Sequence, residues 1–93
     1  DSYKTVDIDS LAAISCLSKD HFIRLFKKEV GTTPLQYINQ KKIEKAQLIL
    51  ITEDIPVKNI AYLLAYEDHS YFNRLFKKIT DVTPQQYREL YKK

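Results

Sequence analysis

The stretch FIRLFKK, from Phe22 to Lys28, returns as FNRLFKK from Phe72 to Lys78. Thr33, Pro34, Gln36 and Tyr37 return at the same offset as Thr83, Pro84, Gln86 and Tyr87. Half of that window is identical, so the chain is expected to use one structural unit twice. The repeated surface is basic as well as the repeated core apolar, and that bears on function.

The chain has 93 residues, enough for one small domain spanning 1–93 or two half-domains sharing a core. A single glycine and three prolines leave few tight turns, which argues against a sheet and for helices with short connections. Net charge is +3, a mild bias compatible with a polyanionic partner. The lone cysteine, Cys16, excludes a disulfide framework and reads as packing. No run approaches the roughly 18 apolar residues of a membrane span, and no signal peptide opens the chain. The reducing cytoplasm fits best, and the start at Asp1 suggests a piece of something longer.

Hydrophobic periodicity and cap residues set out the helices. Leu11, Ala12, Ile14 and Leu17 form the apolar side of a short helix behind Asp9 or Ser10. Ser18 caps a helix from Lys19 to about Val30, with Phe22, Leu25, Phe26 and Glu29 on one side and Gly31 just past its end. Thr33-Pro34-Leu35-Gln36 is a capping box with proline at the first helical position. The connector helix that it opens runs over about 34–51. Leu35, Ile38, Ile43, Ala46, Ile49 and Leu50 are expected inward, and Lys41, Lys42 and Lys45 outward.

Pro56 starts a short helix to about Ala65, with Ile60, Ala61 and Leu64 inward. Asp68 caps a helix from His69 to Ile79 whose core side is Phe72, Leu75, Phe76 and Ile79. Asp81 stands where Gly31 stood, which predicts a strained or differently shaped helix end. Thr83-Pro84-Gln85-Gln86 repeats the capping box and opens a tail helix over about 84–93. The order is that of two helix-turn-helix units, about 9–31 and 56–80. Ala12 matches Ala61, and Leu17 matches Tyr66, at an offset one residue smaller than that of Phe22 and Phe72. The second turn is therefore one residue longer.

The longer helix of each unit has a second face. At about 100° per residue, Asp20, Ile23, Arg24 and Lys27 cluster opposite Phe22. The second copy puts Ser70, Asn73, Arg74 and Lys77 there, with His69 at the helix start. Arginine can make two parallel bonds to guanine O6 and N7, and lysine suits phosphate. Asparagine can read adenine, and Ile23 can pack on a thymine methyl. Asp20 suits cytosine N4 or a cap. A connector of about 18 residues is about 27 Å long. Readers that far apart can meet successive major-groove segments, about 34 Å apart.

These residues resemble the DNA-binding domain of the AraC/XylS transcription regulators. The resemblance is densest in IAYLLAYEDHSYFNRLFKKITDVTPQQYR, from Ile60 to Arg88. The first half adds Leu11-Ala12, Leu17-Ser18, FIRLFKK, GTTP and KIEKAQLIL (Lys42 to Leu50), so about Leu11 to Arg88 is covered. It implies an all-α fold, two helix-turn-helix units joined by a long connector helix as a homeodomain-like pair, with both recognition helices in the major groove. By position, it implies base contacts from Asp20, Ile23 and Arg24 in the first unit and from His69, Ser70, Asn73 and Arg74 in the second. Phosphate contacts are expected at Ser18, Lys19, Lys27, Lys28, Thr33, Lys77, Lys78 and Thr83. The chain departs from the family at Ala65-Tyr66 (usually Gly-Phe), Asp81 (usually Gly) and Lys42 (usually Arg), all at helix ends or packing positions. The family's leading helix, ahead of Leu11, has only Asp1 to Ile8 as a remnant.

The expected partners are double-stranded promoter DNA and RNA polymerase, with no membrane and with any sensing or dimerisation part outside this chain. A helical protein-interaction module is the rival reading. It would bind protein through the outer faces of Lys19 to Lys28 and His69 to Lys78. No cofactor, metal or catalytic residue is expected: His21 and His69 lack zinc-ligand partners, and no nucleophile-base arrangement or phosphate loop stands out. Glu67-Asp68 reads as a helix-start pair, Tyr37 and Tyr87 as core residues closing each unit, and Lys92-Lys93 as a solvated end.

Overall fold

A computed structural model describes Asp9, Ala12, Ala13 and residues 17–92. Among them are five helices: α1 (Lys19–Val30), α2 (Pro34–Thr52), α3 (Val57–Leu63), α4 (His69–Thr80) and α5 (Pro84–Tyr91). Asp9, Ala12 and Ala13 are also helical. The readings made for Ser10, Leu11, Ile14, Cys16, Lys93 and residues 1–8 lie outside the described residues. The chain forms two compact units, one ending at Lys41 and the other beginning at Lys42.

In the second unit the core is Ile43, Ala46, Ile49 and Leu50 of α2, Ile60, Ala61 and Leu64 of α3 and its end, Tyr66, and Phe72 and Phe76 of α4. Phe72 and Phe76 are fully buried, each worth about 1.5–3 kcal/mol of apolar transfer. Leu75, Ile79, Val82 and Tyr87 pack on its edge. The rings form a ladder, Tyr66–Phe72 at 5.4 Å, Phe72–Phe76 at 6.0 Å, Phe76–Tyr87 at 5.7 Å and Tyr87–Tyr91 at 4.6 Å. These separations fall in the favourable range for offset and edge-to-face pairs.

The repeat is visible bond by bond. Leu17 N donates to Ala12 O at 3.1 Å, and Tyr66 N donates to Ala61 O at 3.0 Å. Both bonds sit at the shorter offset. The caps that follow, Ser18 and Asp68, sit at the longer one, so the extra residue of the second turn is Glu67. Gly31 and Asp81 both adopt the left-handed conformation and donate their N–H to Lys27 O and Lys77 O at 2.8 Å. Asp81 thus keeps the shape of the glycine end, with φ of 71°; a short polar side chain tolerates that region better than most. Both capping boxes are closed. Thr33 and Thr83 hydroxyls accept from Gln36 N and Gln86 N, and the glutamine Oε1 atoms accept from Thr33 N and Thr83 N. Pro34 and Pro84 are buried beneath them.

Several expectations need correction. No α1 side chain is fully buried: Phe22 and Phe26 are half-buried, Leu25 is 42% exposed, and Glu29 faces solvent. The first copy has smaller residues, Ser15 and Leu17, where the second has Leu64 and Tyr66. Its own unit supplies, among the described residues, no counterpart to Ile43, Ala46 and Leu50. Tyr37 meets Phe26 edge-on at 5.7 Å, as Tyr87 meets Phe76, yet remains 41% exposed. Leu35 points outward at 55% exposure, because it stands about 100° round the helix from buried Pro34. The polar Gln85 at the matching place in the second copy carried that signal.

Asp9 is helical, so it does not cap its helix, and Leu17 lies beyond the helix end. Lys42 does not point into solvent. Its ammonium lies 4.7 Å from the centre of the Tyr66 ring, and burial lowers its pKa. Lys45 is half-buried, while Lys41 is exposed near the Tyr37 ring. The tail helix ends at Tyr91, and Lys92 is extended. Lys92 is not a solvated end: its Nζ lies 3.1 Å from Glu53 O and 2.8 Å from Asp54 Oδ1.

Candidate nucleic-acid interface

Each candidate reader helix is held by its caps at one end and its left-handed residue at the other. Ser18 Oγ accepts from His21 N at 3.1 Å to start α1, and Asp68 Oδ1 accepts from Ser70 N at 2.9 Å to start α4. Asp20 is therefore not the cap of α1; it is an exposed acid in the first turn. Lys27 and Lys28 fall in the last turn of α1, and Lys77 and Lys78 in that of α4, where cations complement the helix dipole.

The outward side chains are Asp20, Arg24, Lys27 and Lys28 on α1, and Ser70, Arg74, Lys77 and Lys78 on α4; all are exposed. Ile23, His69 and Asn73 are half-buried. Arg24 matches Arg74, and Lys27 matches Lys77, so the repeat places one guanidinium and one ammonium identically on two helices. Ser18 is exposed, and Thr33 and Thr83 are half-buried. Their oxygens accept the cap bonds, and a hydroxyl engaged in this way still carries one hydrogen to donate. Lys19 forms an exposed ion pair with Asp9 at 3.3 Å, which competes with any phosphate for its ammonium.

Asn73 departs from the simple reader picture. Its Oδ1 is buried and has no hydrogen-bond partner. An adenine pair needs both ends of the amide, so in this rotamer the side chain presents only part of that pattern. A buried acceptor without a donor costs about 1–3 kcal/mol, a driving force for the side chain to turn outward. Asn73 lines a cleft of about 360 Å³ together with Val57, Lys58, His69, Thr83 and Gln85. Lys58 is a cation beside the reader helix that periodicity on α4 alone does not find. The signal for it is its match to Asp9 at the same offset that relates Ala61 to Ala12. Among the described residues no group of three or more His, Cys, Asp or Glu side chains gathers to hold a metal, and no helix is long and apolar enough to cross a membrane.

Two side-chain-capped helices with matched cations, each following a shorter helical segment, give a tandem helix-turn-helix arrangement. A family of domains described as "Helix-turn-helix domain" matches residues 11–90. The chain is 37% identical over 84 residues to the MmsAB operon regulatory protein of Pseudomonas aeruginosa, covering 90% of this chain and 27% of that protein. It is 33% identical over 82 residues to the arabinose operon regulatory protein of Escherichia coli K12, covering 88% and 28%. The DNA-binding domain of the global transcriptional factor AdpA, solved in complex with a target DNA, superposes with a TM-score of 0.87 at 26% identity, covering 95% and 79%. The chain belongs to the AraC/XylS family of helix-turn-helix transcription regulators and is a sequence-specific DNA-binding domain of that type. Family members are transcription factors and not enzymes. The chain spans a little over a quarter of the length of these two curated relatives.

Proposed function

We propose that α1 and α4 are the two recognition helices and that they enter successive major-groove segments of promoter DNA. Asp20, Ile23 and Arg24 face base edges from α1, and His69, Ser70, Asn73 and Arg74 from α4. Ser18, Lys19, Lys27, Lys28, Thr33, Lys77, Lys78 and Thr83 face phosphates. The observation that carries this reading is the exposure of Arg24 with Lys27, and of Arg74 with Lys77, at one angular position on two helices that both end in a left-handed residue. The copies differ at Asp20/Ser70 and Ile23/Asn73, which favours an asymmetric site. RNA polymerase is a further partner in this reading, and sensing and dimerisation belong to a part of the protein outside this chain. The protein acts in the cytoplasm, where promoter DNA is.

Affinity selection of sites from a random duplex library, followed by variants, tests the assignment. Arg74→Ala should cost about 1–3 kcal/mol on the selected site and relax preference at one position. Lys77→Ala should weaken all sequences alike and flatten the salt slope by about 1. Equal losses from both variants on selected and random DNA would refute the base-reading role of Arg74. No retention of a random duplex at low salt would favour the protein-interaction module instead.

A further inference from the structure

Lys58 stands at the second residue of α3, exposed, on the rim of the cleft that His69 and Asn73 of α4 also line. Its counterpart in the first unit is Asp9, by the offset that the paired bonds Leu17–Ala12 and Tyr66–Ala61 establish. The same structural position therefore carries opposite charges in the two copies. The neighbouring position differs too: Lys19 opens α1 where His69 opens α4. In the first unit Asp9 holds the Lys19 ammonium at 3.3 Å, so the two charges largely cancel where α1 begins. In the second unit, no acid among the described residues lines the cleft beside Lys58. Donor-bearing side chains stand there instead, Lys58, His69 and Thr83, while the Gln85 amide donates to Glu89 Oε2 at 3.4 Å.

We infer that Lys58 seats a DNA backbone phosphate in the cleft beside α4, and that Asp9 is the residue that withholds the equivalent contact from the first unit. The inference rests on the recognition-helix reading of α4 and adds to it a contact from outside that helix. A donor set without an acid suits a phosphate oxygen, and an exposed lysine on a short helix places a mobile point charge there. The consequence is an unequal pair, in which the second unit anchors to the backbone more firmly than the first.

Salt-dependent binding of the whole chain to a random duplex tests this with Lys58→Ala, Asp9→Lys and, as a reference, Lys77→Ala. Each lost phosphate contact flattens the slope of log affinity against log salt by about 0.9. Lys58→Ala should do so, and its disadvantage to the parent should shrink about 3.5-fold between 50 and 200 mM salt. Asp9→Lys should steepen the slope by a similar amount. If Lys77→Ala flattens the slope and Lys58→Ala does not, the phosphate seat is refuted while α4 remains the reader. If neither variant changes the slope, the reading of α4 itself fails and the seat with it. An unchanged slope for Asp9→Lys would refute the role given to Asp9. Lys58 is exposed, and alanine favours helices, so the parent fold is retained in Lys58→Ala.

Discussion

Arg88 Nε donates to the carbonyl oxygen of Leu50 at 3.0 Å, joining the tail helix to the end of the connector across 38 positions of sequence. Its Nη2 donates to Glu53 O at 3.1 Å, and Lys92 Nζ donates to the same oxygen at 3.1 Å. The last carbonyls of a helix have no partners within it, and two cations here satisfy two acceptors at the end of α2. The second unit is thus closed by a cap from a distant helix as well as by its core.

Arg88→Ala should accordingly lower stability by about 1–3 kcal/mol, the range for bonds to a charged donor, with Leu50 O left unpaired while Lys92 still serves Glu53 O. Urea unfolding would show a lower midpoint with an unchanged slope. Arg88→Lys should recover part of the loss, since a lysine reaches one carbonyl but not both. A midpoint unchanged in Arg88→Ala would mean that water serves those carbonyls equally well.

Ala65 has a φ of 66°, a left-handed conformation that disfavours a β-carbon. Ala65→Gly should raise stability by roughly 0.5–1 kcal/mol, the relief of strain being larger than the added flexibility of the unfolded chain. Gly31→Ala should do the opposite. Its φ is 97° and nothing lies within 4 Å of an added β-carbon, so the loss would come from backbone strain alone. Melting temperatures of the two variants moving in the same direction would contradict this account.

The Asp54 carboxyl is held below its ordinary value of 3.8 by the hydrogen bond from Lys92, followed by the Lys92 charge. A carboxylate with a lowered folded pKa contributes stability above its unfolded pKa and loses it as pH falls through the folded one. Stability of the parent should therefore fall more between about pH 4 and lower pH than that of Asp54→Asn. Chemical denaturation at pH 6 and pH 2.5 measures it; parallel losses in parent and variant would show that the pair carries no linkage. The pair is solvent-facing, so the difference should also diminish in high salt.

Asn73→Ala removes the buried oxygen that has no donor. Folding stability should change by less than about 1 kcal/mol, because the lost contacts are offset by the lost orphan. Preference at one base pair of the selected site should weaken. A clear loss of stability with no change in site preference would assign Asn73 to the fold instead.

Much of the fold was legible because its signals are local. Thr33 to Gln36 and Thr83 to Gln86 place donor, acceptor and proline within one turn, and both boxes form as their residue types require. Phe72 and Phe76 share a face by helical period, and they form the centre of a core. The outward positions of Arg24, Arg74, Lys27 and Lys77 follow from the same period. Leu35 shows where reading one copy alone stopped: its apolar side chain suggested burial, and it stands outward beside buried Pro34, as polar Gln85 does in the second copy.

The sequence alone determined the order of the helices from Lys19 to Tyr91, the doubling of the unit and the family, because each depends on residues within a few positions or on the repeat itself; the helix ends at Leu63 and Tyr91 fall short of the expected ones by two residues. Tertiary structure decided which cations other groups of the protein engage and where the rest stand. Lys42 lies over Tyr66, Lys19 pairs with Asp9, Arg88 and Lys92 close the connector, and Lys58 stands beside α4. Helical period sets the side on which a charge stands, but its partner is the acceptor or ring that folding brings within a few ångströms.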